Sequence, residues 1–272
     1  MRRLAFALAL AGCSQQPELP KPRYEVAVIS ALPLFWSEAD ATKALSQGDE
    51  RAPIIRKLAE TFTMTPIDLA DEKTLRHHRL LLLAQPAALG GAELVAIDAW
   101  VRAGGRLLVF ADPALTWPSP YALGDPRAAP RITMLNPLLT HWGLQLISPA
   151  ISSLSADGEM TDAIVSGDIV TVSAAGQWRS ASKVCEIVDR GLRATCRLGK
   201  GRVELVADAD LLDLETLGAV GRKNGAAVAS LLQNLSNGLP TKLLGESESR
   251  KEQEKNKVDQ LPQSDRLSRQ QE

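Results

Sequence analysis

HRLLLLAQP (residues 78–86), GAELVAIDAWVRAGG (91–105) and RLLVFAD (106–112) follow one another almost without a break, and together they decide the fold. The first and third are continuous apolar runs, which are typical of strands buried on both faces of a parallel sheet. The middle segment has apolar residues at helical spacing and ends at Gly104-Gly105, a normal helix C-terminus. A strand, a helix and a second strand in this order predict a right-handed parallel crossover.

The same alternation continues on both sides of these segments. Before them, the pattern predicts a strand at about 25–31, a helix in 49–62 with Asp49 as its cap, and a short strand in 63–68. After them, it predicts a helix in 134–143, a strand at 144–147, a buried parallel strand in 201–213 and a closing helix in 223–238. We therefore expect an α/β fold in three layers, with a parallel, flavodoxin-like sheet between two layers of helices.

Residues 160–200 have a different pattern. Short apolar segments joined by glycine turns predict an antiparallel β insertion in this fold. Within it, Cys185 and Cys196 are equidistant from the Arg190-Gly191 centre of a predicted hairpin turn. A two-residue turn would place the two cysteines opposite each other at a hydrogen-bonded position, with Cα atoms about 5.5 Å apart. Whether they form a disulfide is left open at this point, because a longer turn would change the register.

The two ends of the chain differ from the domain of residues 24–240. MRRLAFALALAGC (1–13) has basic, apolar and small residues in the order of a secretory signal, and Leu10-Ala11-Gly12-Cys13 resembles the bacterial lipoprotein box. We predict a lipoprotein signal peptide at 1–12, lipid attachment to Cys13, and a polar, proline-rich tether at 13–23. Residues 245–272 are charged and nearly free of apolar residues, which predicts a disordered tail. The expected location is the bacterial periplasm, with a lipid anchor in the inner or outer membrane.

Bulk composition excludes some functions. The chain has 272 residues and a formal net charge of −1, so no electrostatic attraction to nucleic acid is expected. No apolar run approaches the roughly 18 to 20 residues that cross a bilayer. No phosphate-binding glycine-rich loop is present, so the chain does not have the pattern of a transporter's ATPase.

LLLAQPAALGGAELVAIDAWVRAGGRLLVFADP (81–113) and GRVELVADADLL (201–212) resemble the periplasmic domain of ABC-type transport auxiliary proteins, a group that includes the gliding-motility auxiliary protein. The group is similar in fold to class I glutamine amidotransferase domains. The resemblance therefore implies an amidotransferase-like sheet and association with ABC transporter subunits. Those enzymes carry a cysteine nucleophile in the turn after the strand at 106–110, where this chain has Ala111-Asp112-Pro113. With neither cysteine nor serine there, and with Pro113 lacking an N–H, we expect that chemistry to be absent.

Three loops follow the carboxyl ends of predicted parallel strands, which is where ligands bind in such sheets. They supply carboxylates and aromatic rings suited to a glycan or peptide ligand, namely Phe35, Trp36, Asp112, Trp117, Tyr121, Asp208 and Asp210. Asp112 is either such a contact or a turn residue that binds local backbone N–H groups. Asp208 and Asp210 are equally suited to capping the following segment. We predict no metal site, because no third acid or histidine is spaced to complete a pair of carboxylates, and no cofactor.

These observations favour a non-catalytic, membrane-anchored periplasmic accessory protein that binds a glycan, a peptide or transporter subunits. The alternative is a hydrolase that uses Asp112 with Asp208 or Asp210 as an acid-base pair on a glycan or peptide, which needs carboxyl groups roughly 5 to 9.5 Å apart in one cleft. A third hypothesis is a structural lipoprotein whose charged tail contacts a partner.

Overall fold

The computed structural model describes residues 24–36, 51–122, 124–149 and 160–239. The described part of the chain lies within one compact unit, Arg23–Thr241. The predictions for the signal peptide, Cys13, the tether, the Asp49 cap and the tail at 245–272 lie outside the described residues. Within the described ranges, no helix is both long enough and apolar enough to cross a membrane.

The described ranges contain eleven strands and five α-helices; helices separate the strands as far as β5, and β5 to β11 follow one another without an α-helix between them. The strands are β1 (Tyr24–Ser30), β2 (Phe62–Pro66), β3 (Leu80–Ala84), β4 (Arg106–Phe110), β5 (Leu144–Ile147), β6 (Met160–Val165), β7 (Asp168–Ser173), β8 (Gln177–Ser180), β9 (Cys185–Val188), β10 (Arg193–Leu198) and β11 (Gly201–Val206). The helices are α1 (Pro53–Leu58), α2 (Glu72–Leu75), α3 (Gly91–Arg102), α4 (Asn136–His141) and α5 (Gly221–Ser236). A 3₁₀ turn, Asp189–Gly191, lies between β9 and β10, and a second one, Asp210–Leu212, follows β11.

Seven strands form the central sheet in the order β2-β1-β3-β4-β11-β10-β9. The first five are parallel, and the last two continue the sheet in antiparallel fashion. Leu82 of β3 lies at the centre, paired with Val28 on one side and Leu108 on the other. All five residues of β3 are buried, which is why its sequence is an unbroken apolar run. The parallel strands follow the flavodoxin-like order, so the predicted α/β fold class is confirmed.

Helices cover both faces of this sheet. Helix α1 packs against α5, whereas α3 packs against α2 and α4. The chain steps outward from β1 to β2 and then in the opposite direction from β3 to β4. Right-handed crossovers in opposite directions place their helices on opposite faces, which gives three layers.

The glycine pair that ends α3 is needed for close packing. Gly104 has φ 122°, in the left-handed region that favours glycine. A Cβ atom on Gly105 would collide with the indole ring of Trp100. That ring instead lies over the turn and donates a hydrogen bond from Nε1 to the carbonyl of His78, 3.1 Å away. Thus the Gly-Gly-Arg sequence allows β4 to start directly beneath the helix.

The antiparallel region is larger and more divided than the sequence suggested. Strand β5, expected to continue the strand-helix alternation, instead pairs antiparallel with β8 outside the central sheet. Strands β6 and β7 form a separate hairpin, and only β9 and β10 extend the main sheet. The physical reason is that short strands carry little periodic information, so their partners are decided by tertiary packing.

Cys185 and Cys196 form a disulfide between β9 and β10. They are directly opposite in the register, as the spacing suggested. The turn is longer than the two residues assumed, because β9 ends at Val188 and β10 begins at Arg193. The Cα atoms are 4.0 Å apart, nearer to the value of about 4.5 Å for a non-hydrogen-bonded pair than to 5.5 Å. Because the turn is longer, Cys185 and Cys196 form a non-hydrogen-bonded pair instead of the hydrogen-bonded pair that a two-residue turn predicts.

Candidate functional site

Three buried carboxylates meet beyond the carboxyl ends of two neighbouring parallel strands. Asp112 follows β4, and Asp208 and Asp210 follow β11, which pairs with β4. One oxygen from each of the three lies within 4.8 Å of the others. Asp112 and Asp208 are fully buried, and Asp210 is 5% exposed. We refer to Asp112, Asp208 and Asp210 as the acidic cluster.

Asp112 joins its own turn to the turn after β11. Its Oδ1 accepts a hydrogen bond from the Ala114 amide at 2.7 Å, the local bond expected of an aspartate before proline. Its Oδ2 accepts a second bond from the Ala209 amide at 2.8 Å. The side chain therefore serves as the turn residue that one interpretation of the sequence predicted, and it also binds a loop 97 residues away in the sequence.

Asp208 and Asp210 tie the same turn to other elements. Asp208 accepts hydrogen bonds from the amide of Leu211, in the 3₁₀ turn, at 2.9 Å and from the amide of Ser173, at the end of β7, at 2.8 Å. Asp210 Oδ2 accepts bonds from both the amide and the hydroxyl of Thr116, each 2.8 Å away. Asp210 Oδ1 is buried and has no hydrogen-bond partner. Five of the six carboxylate oxygens thus accept protein donors, and one does not.

The electrostatic environment opposes full ionisation of the acidic cluster. Burial, together with the charge of Asp210, raises the pKa of Asp112 to about 7, although backbone hydrogen bonds, including those from Ala114 and Ala209, partly oppose this. Burial raises the pKa of Asp208 well above its usual value, and the charges of Asp112 and Asp210 act in the same direction. Burial also raises the pKa of Asp210. Among the ion pairs recorded for the described residues, none joins one of these carboxylates to a lysine, arginine or histidine.

The predicted aromatic residues are arranged differently from the carboxylates. Trp36 is 51% exposed, whereas Phe35 and Trp117 are half-buried against the core. Tyr121 is half-buried, with the Arg127 guanidinium 4.3 Å from its ring centroid, and it lines a cavity of about 370 Å³ with Arg131 and Met134. The structure therefore differs from the expected crevice, because the three carboxylates of the acidic cluster are buried. It also differs from the expectation that no third acid would complete a cation site.

Two amide side chains that sequence reasoning missed hold the loops around the acidic cluster. Gln85, at the end of β3, is fully buried; its Oε1 accepts from the Asp112 amide at 2.8 Å, and its Nε2 donates to the carbonyls of Asp112 and Pro130. Asn224 of α5 pairs with both backbone groups of Thr171 and donates to the carbonyl of Leu211. A polar amide directly after an unbroken apolar strand was the available signal for Gln85.

Comparisons with known proteins give a family and distant structural likeness. Residues 23–156 match the model of a family described as an ABC-type uncharacterized transport system. No curated protein sequence matches the chain.

Several solved structures are similar at low sequence identity. The exo-β-1,4-mannosidase Op5Man5 from Opitutaceae bacterium strain TAV5 is 12% identical with a TM-score of 0.46, over 78% of this chain and 36% of that one. A β-galactosidase from Rahnella sp. R3 is 15% identical with a TM-score of 0.42, over 78% of this chain and 32% of that one. The cytoplasmic protein STM1381 from Salmonella typhimurium LT2 is 9% identical with a TM-score of 0.46, over 78% of this chain and 99% of that one. The chain spans about a third of the length of the two glycosidases.

Proposed function

We propose that this chain, whose residues 23–156 match the model of a family described as an ABC-type uncharacterized transport system, is a membrane-anchored accessory protein that acts by binding and not by catalysis. It is exported to the bacterial periplasm, is held at a membrane by a lipid on Cys13, and binds transporter subunits. The family match supports the role in transport. The sequence and the contacts of individual residues support export, lipid attachment and the absence of catalysis.

The anchor is proposed from the N-terminal sequence. Leu10-Ala11-Gly12-Cys13 follows two arginines and a short apolar stretch, in the order of an exported lipoprotein. The disulfide between Cys185 and Cys196 supports export, because disulfides persist in the periplasm and are rare in the cytosol.

Binding without catalysis is supported by the turn after β4. In the glutamine amidotransferase domains whose fold the sequence resembles, the corresponding turn carries a cysteine nucleophile, but here the turn carries Asp112-Pro113. The Asp112 carboxylate is fully buried and accepts hydrogen bonds from two backbone amides. A group enclosed and bonded in this way stabilises the loops and does not meet a substrate. This is the single observation on which the non-catalytic assignment rests.

The hydrolase alternative needs two carboxyl groups that reach one cleft from the solvent. The raised pKa of Asp112, about 7, would suit a general acid. However, Asp112 and Asp208 have no exposed surface, so a glycan or peptide has no access to them in this conformation. The geometry therefore supports the accessory role better.

The experiment is affinity purification of the full-length protein from solubilised bacterial membranes. We expect the permease and ATPase subunits of one ABC transporter to co-purify with the wild-type protein, and mass spectrometry of the N-terminal peptide to find lipid on Cys13. The variant Cys13→Ser should lose both the lipid and the co-purified subunits. The matched control, Ser14→Ala, should keep both.

Two results would contradict the proposal. Wild-type protein that carries lipid but brings down no transporter subunit would refute the accessory role. Hydrolysis of a glycan or peptide by the purified protein, abolished by Asp112→Asn, would refute the non-catalytic assignment.

A further inference from the structure

The acidic cluster has the dimensions of a cation site. Calcium binds carboxylate oxygens at about 2.3–2.6 Å and magnesium at about 2.0–2.1 Å, so two ligands on opposite sides of an ion lie roughly 4 to 5 Å apart. The three oxygens of Asp112, Asp208 and Asp210 all lie within 4.8 Å of one another. One ion can therefore contact all three carboxylates at ordinary bond lengths.

A second observation comes from Asp210. The residue is only 5% exposed, and its Oδ1 is buried and has no hydrogen-bond partner. Enclosing a carboxylate oxygen without a donor is costly, and such atoms are rare in folded proteins. An ion bound to the acidic cluster would supply the missing partner.

The hydrogen bonds already made by the acidic cluster are compatible with an ion. A carboxylate oxygen has two lone pairs, so an oxygen that accepts one backbone N–H keeps a second lone pair for a cation. The bonds to Ala114, Ala209 and Ser173 fix the orientation of the carboxylates, as hydrogen bonds to metal ligands commonly do.

The charge of the acidic cluster also lacks compensation. Three carboxylates are buried together, and no recorded ion pair in the described ranges brings a basic side chain to any of them. Buried charges are normally paired or coordinate a metal. Because every ligand is an oxygen, a hard divalent cation fits, and the soft metals that prefer sulfur or imidazole do not.

We propose that Asp112, Asp208 and Asp210 bind one hard divalent cation, calcium or magnesium, beneath the loops at the carboxyl end of the sheet. The ion links the turn after β4 to the turn after β11, and through Ser173 it reaches the β6–β7 hairpin. It orders this end of the domain independently of the transport role proposed above.

The test uses the full-length chain carrying Cys13→Ser, which can be handled without lipid. After chelator treatment, CaCl₂ and MgCl₂ are titrated separately by calorimetry, and thermal unfolding is recorded with and without each ion. We expect one ion per chain for at least one of the two metals. Ion at about 100 times its Kd should raise the Tm by roughly 5–10 °C.

Asp210→Asn makes the test specific. An asparagine with its amide nitrogen in place of the unpartnered Oδ1 keeps both bonds to Thr116, so this variant should fold. Without ion it should be at least as stable as the parent, because one repelling charge is gone. It should bind the ion at least tenfold more weakly and lose the Tm increase. Asp125→Asn, which changes a loop carboxylate outside the acidic cluster that is paired with Arg127, should bind like the parent.

Each outcome of the titrations either identifies the bound cation or contradicts the proposal. A response to calcium or to magnesium identifies the cation. The absence of a response to either at 5 mM would overturn the proposal, and equal binding by Asp210→Asn would overturn the assignment to this site. If Asp210→Asn does not fold, the titration of the parent protein still distinguishes a response to calcium or magnesium from the absence of any response.

Discussion

Gln85 shows how a single buried side chain holds the loop that follows β4. Its amide satisfies the N–H and C=O of Asp112 and the carbonyl of Pro130, and its own backbone has φ 41°, an uncommon value for a residue other than glycine. We predict that Gln85→Ala lowers the free energy of unfolding by about 3 kcal/mol, because the buried Asp112 amide loses its acceptor and a cavity is left. Urea denaturation would measure this loss.

The matched control for Gln85 is Gln145→Ala, which removes the same group from an exposed position on β5. It should change the free energy of unfolding by less than about 0.5 kcal/mol. A loss below about 1 kcal/mol for Gln85→Ala would show that the loop does not depend on this amide.

For single residues, the sequence predicted hydrogen bonds within a turn but not hydrogen bonds between residues far apart in the chain. The bond from Ala114 to Asp112 was predictable, since aspartate before proline commonly accepts a nearby amide. The bond from Ala209 to the same carboxylate spans 97 residues, so no local pattern could indicate it. The same reason hid the role of Gln85, whose partners lie 27 and 45 residues away.

Among the elements, the strands that the sequence placed best are those buried on both faces. The runs at β3 and β4 are apolar at nearly every position, and the central position of β3 in the sheet explains this. Strand β5 has four residues and only one of them is buried, so its sequence does not determine whether it joins the main sheet or pairs with β8. Burial on both faces is therefore what made part of the topology predictable.

The β9–β10 hairpin at the edge of the sheet depends on its disulfide. Cys185 and Cys196 are separated by 11 residues, and closing a loop of that size stabilises a fold by about 3 kcal/mol through the entropy of the unfolded chain. In a Cys13→Ser background, which prevents thiol exchange with Cys13, we predict that a reducing agent lowers the urea midpoint by an amount that corresponds to this value.

The double variant Cys185→Ala/Cys196→Ala serves as the control. It should unfold near the midpoint of the reduced protein, and the reducing agent should not change it further. An unchanged midpoint for the parent protein after reduction would contradict the prediction, provided that mass spectrometry confirms two free thiols.

For the whole molecule, the acidic cluster couples stability to pH. The folded state holds protons on Asp112, Asp208 and Asp210 more tightly than the unfolded state, since burial raises all three pKa values. Repulsion acts in the same direction, from the other cluster carboxylates at Asp112 and Asp208 and from Asp213 at Asp210. Where the folded chain binds more protons than the unfolded chain, the free energy of unfolding falls as pH rises. The stability that protonation gives is complete below about pH 4 and is lost as pH rises through about 7, the pKa of folded Asp112.

We therefore predict that chelator-treated protein becomes less stable between pH 4.5 and 7.5, by roughly 1.4 kcal/mol per pH unit for each proton released. Asp210→Asn should flatten this dependence, because it removes one of the repelling carboxylates. Asp125→Asn should not change it, since the hydrogen bonds from Arg127 lower the pKa of Asp125 to about 2 and keep it ionised throughout this range. Urea denaturation at each pH gives the slope, and stability that is constant or increases with pH would show that the acidic cluster is already ionised in the ion-free fold. Saturating calcium or magnesium should reverse the slope, because protons then compete with the ion for the same carboxylates.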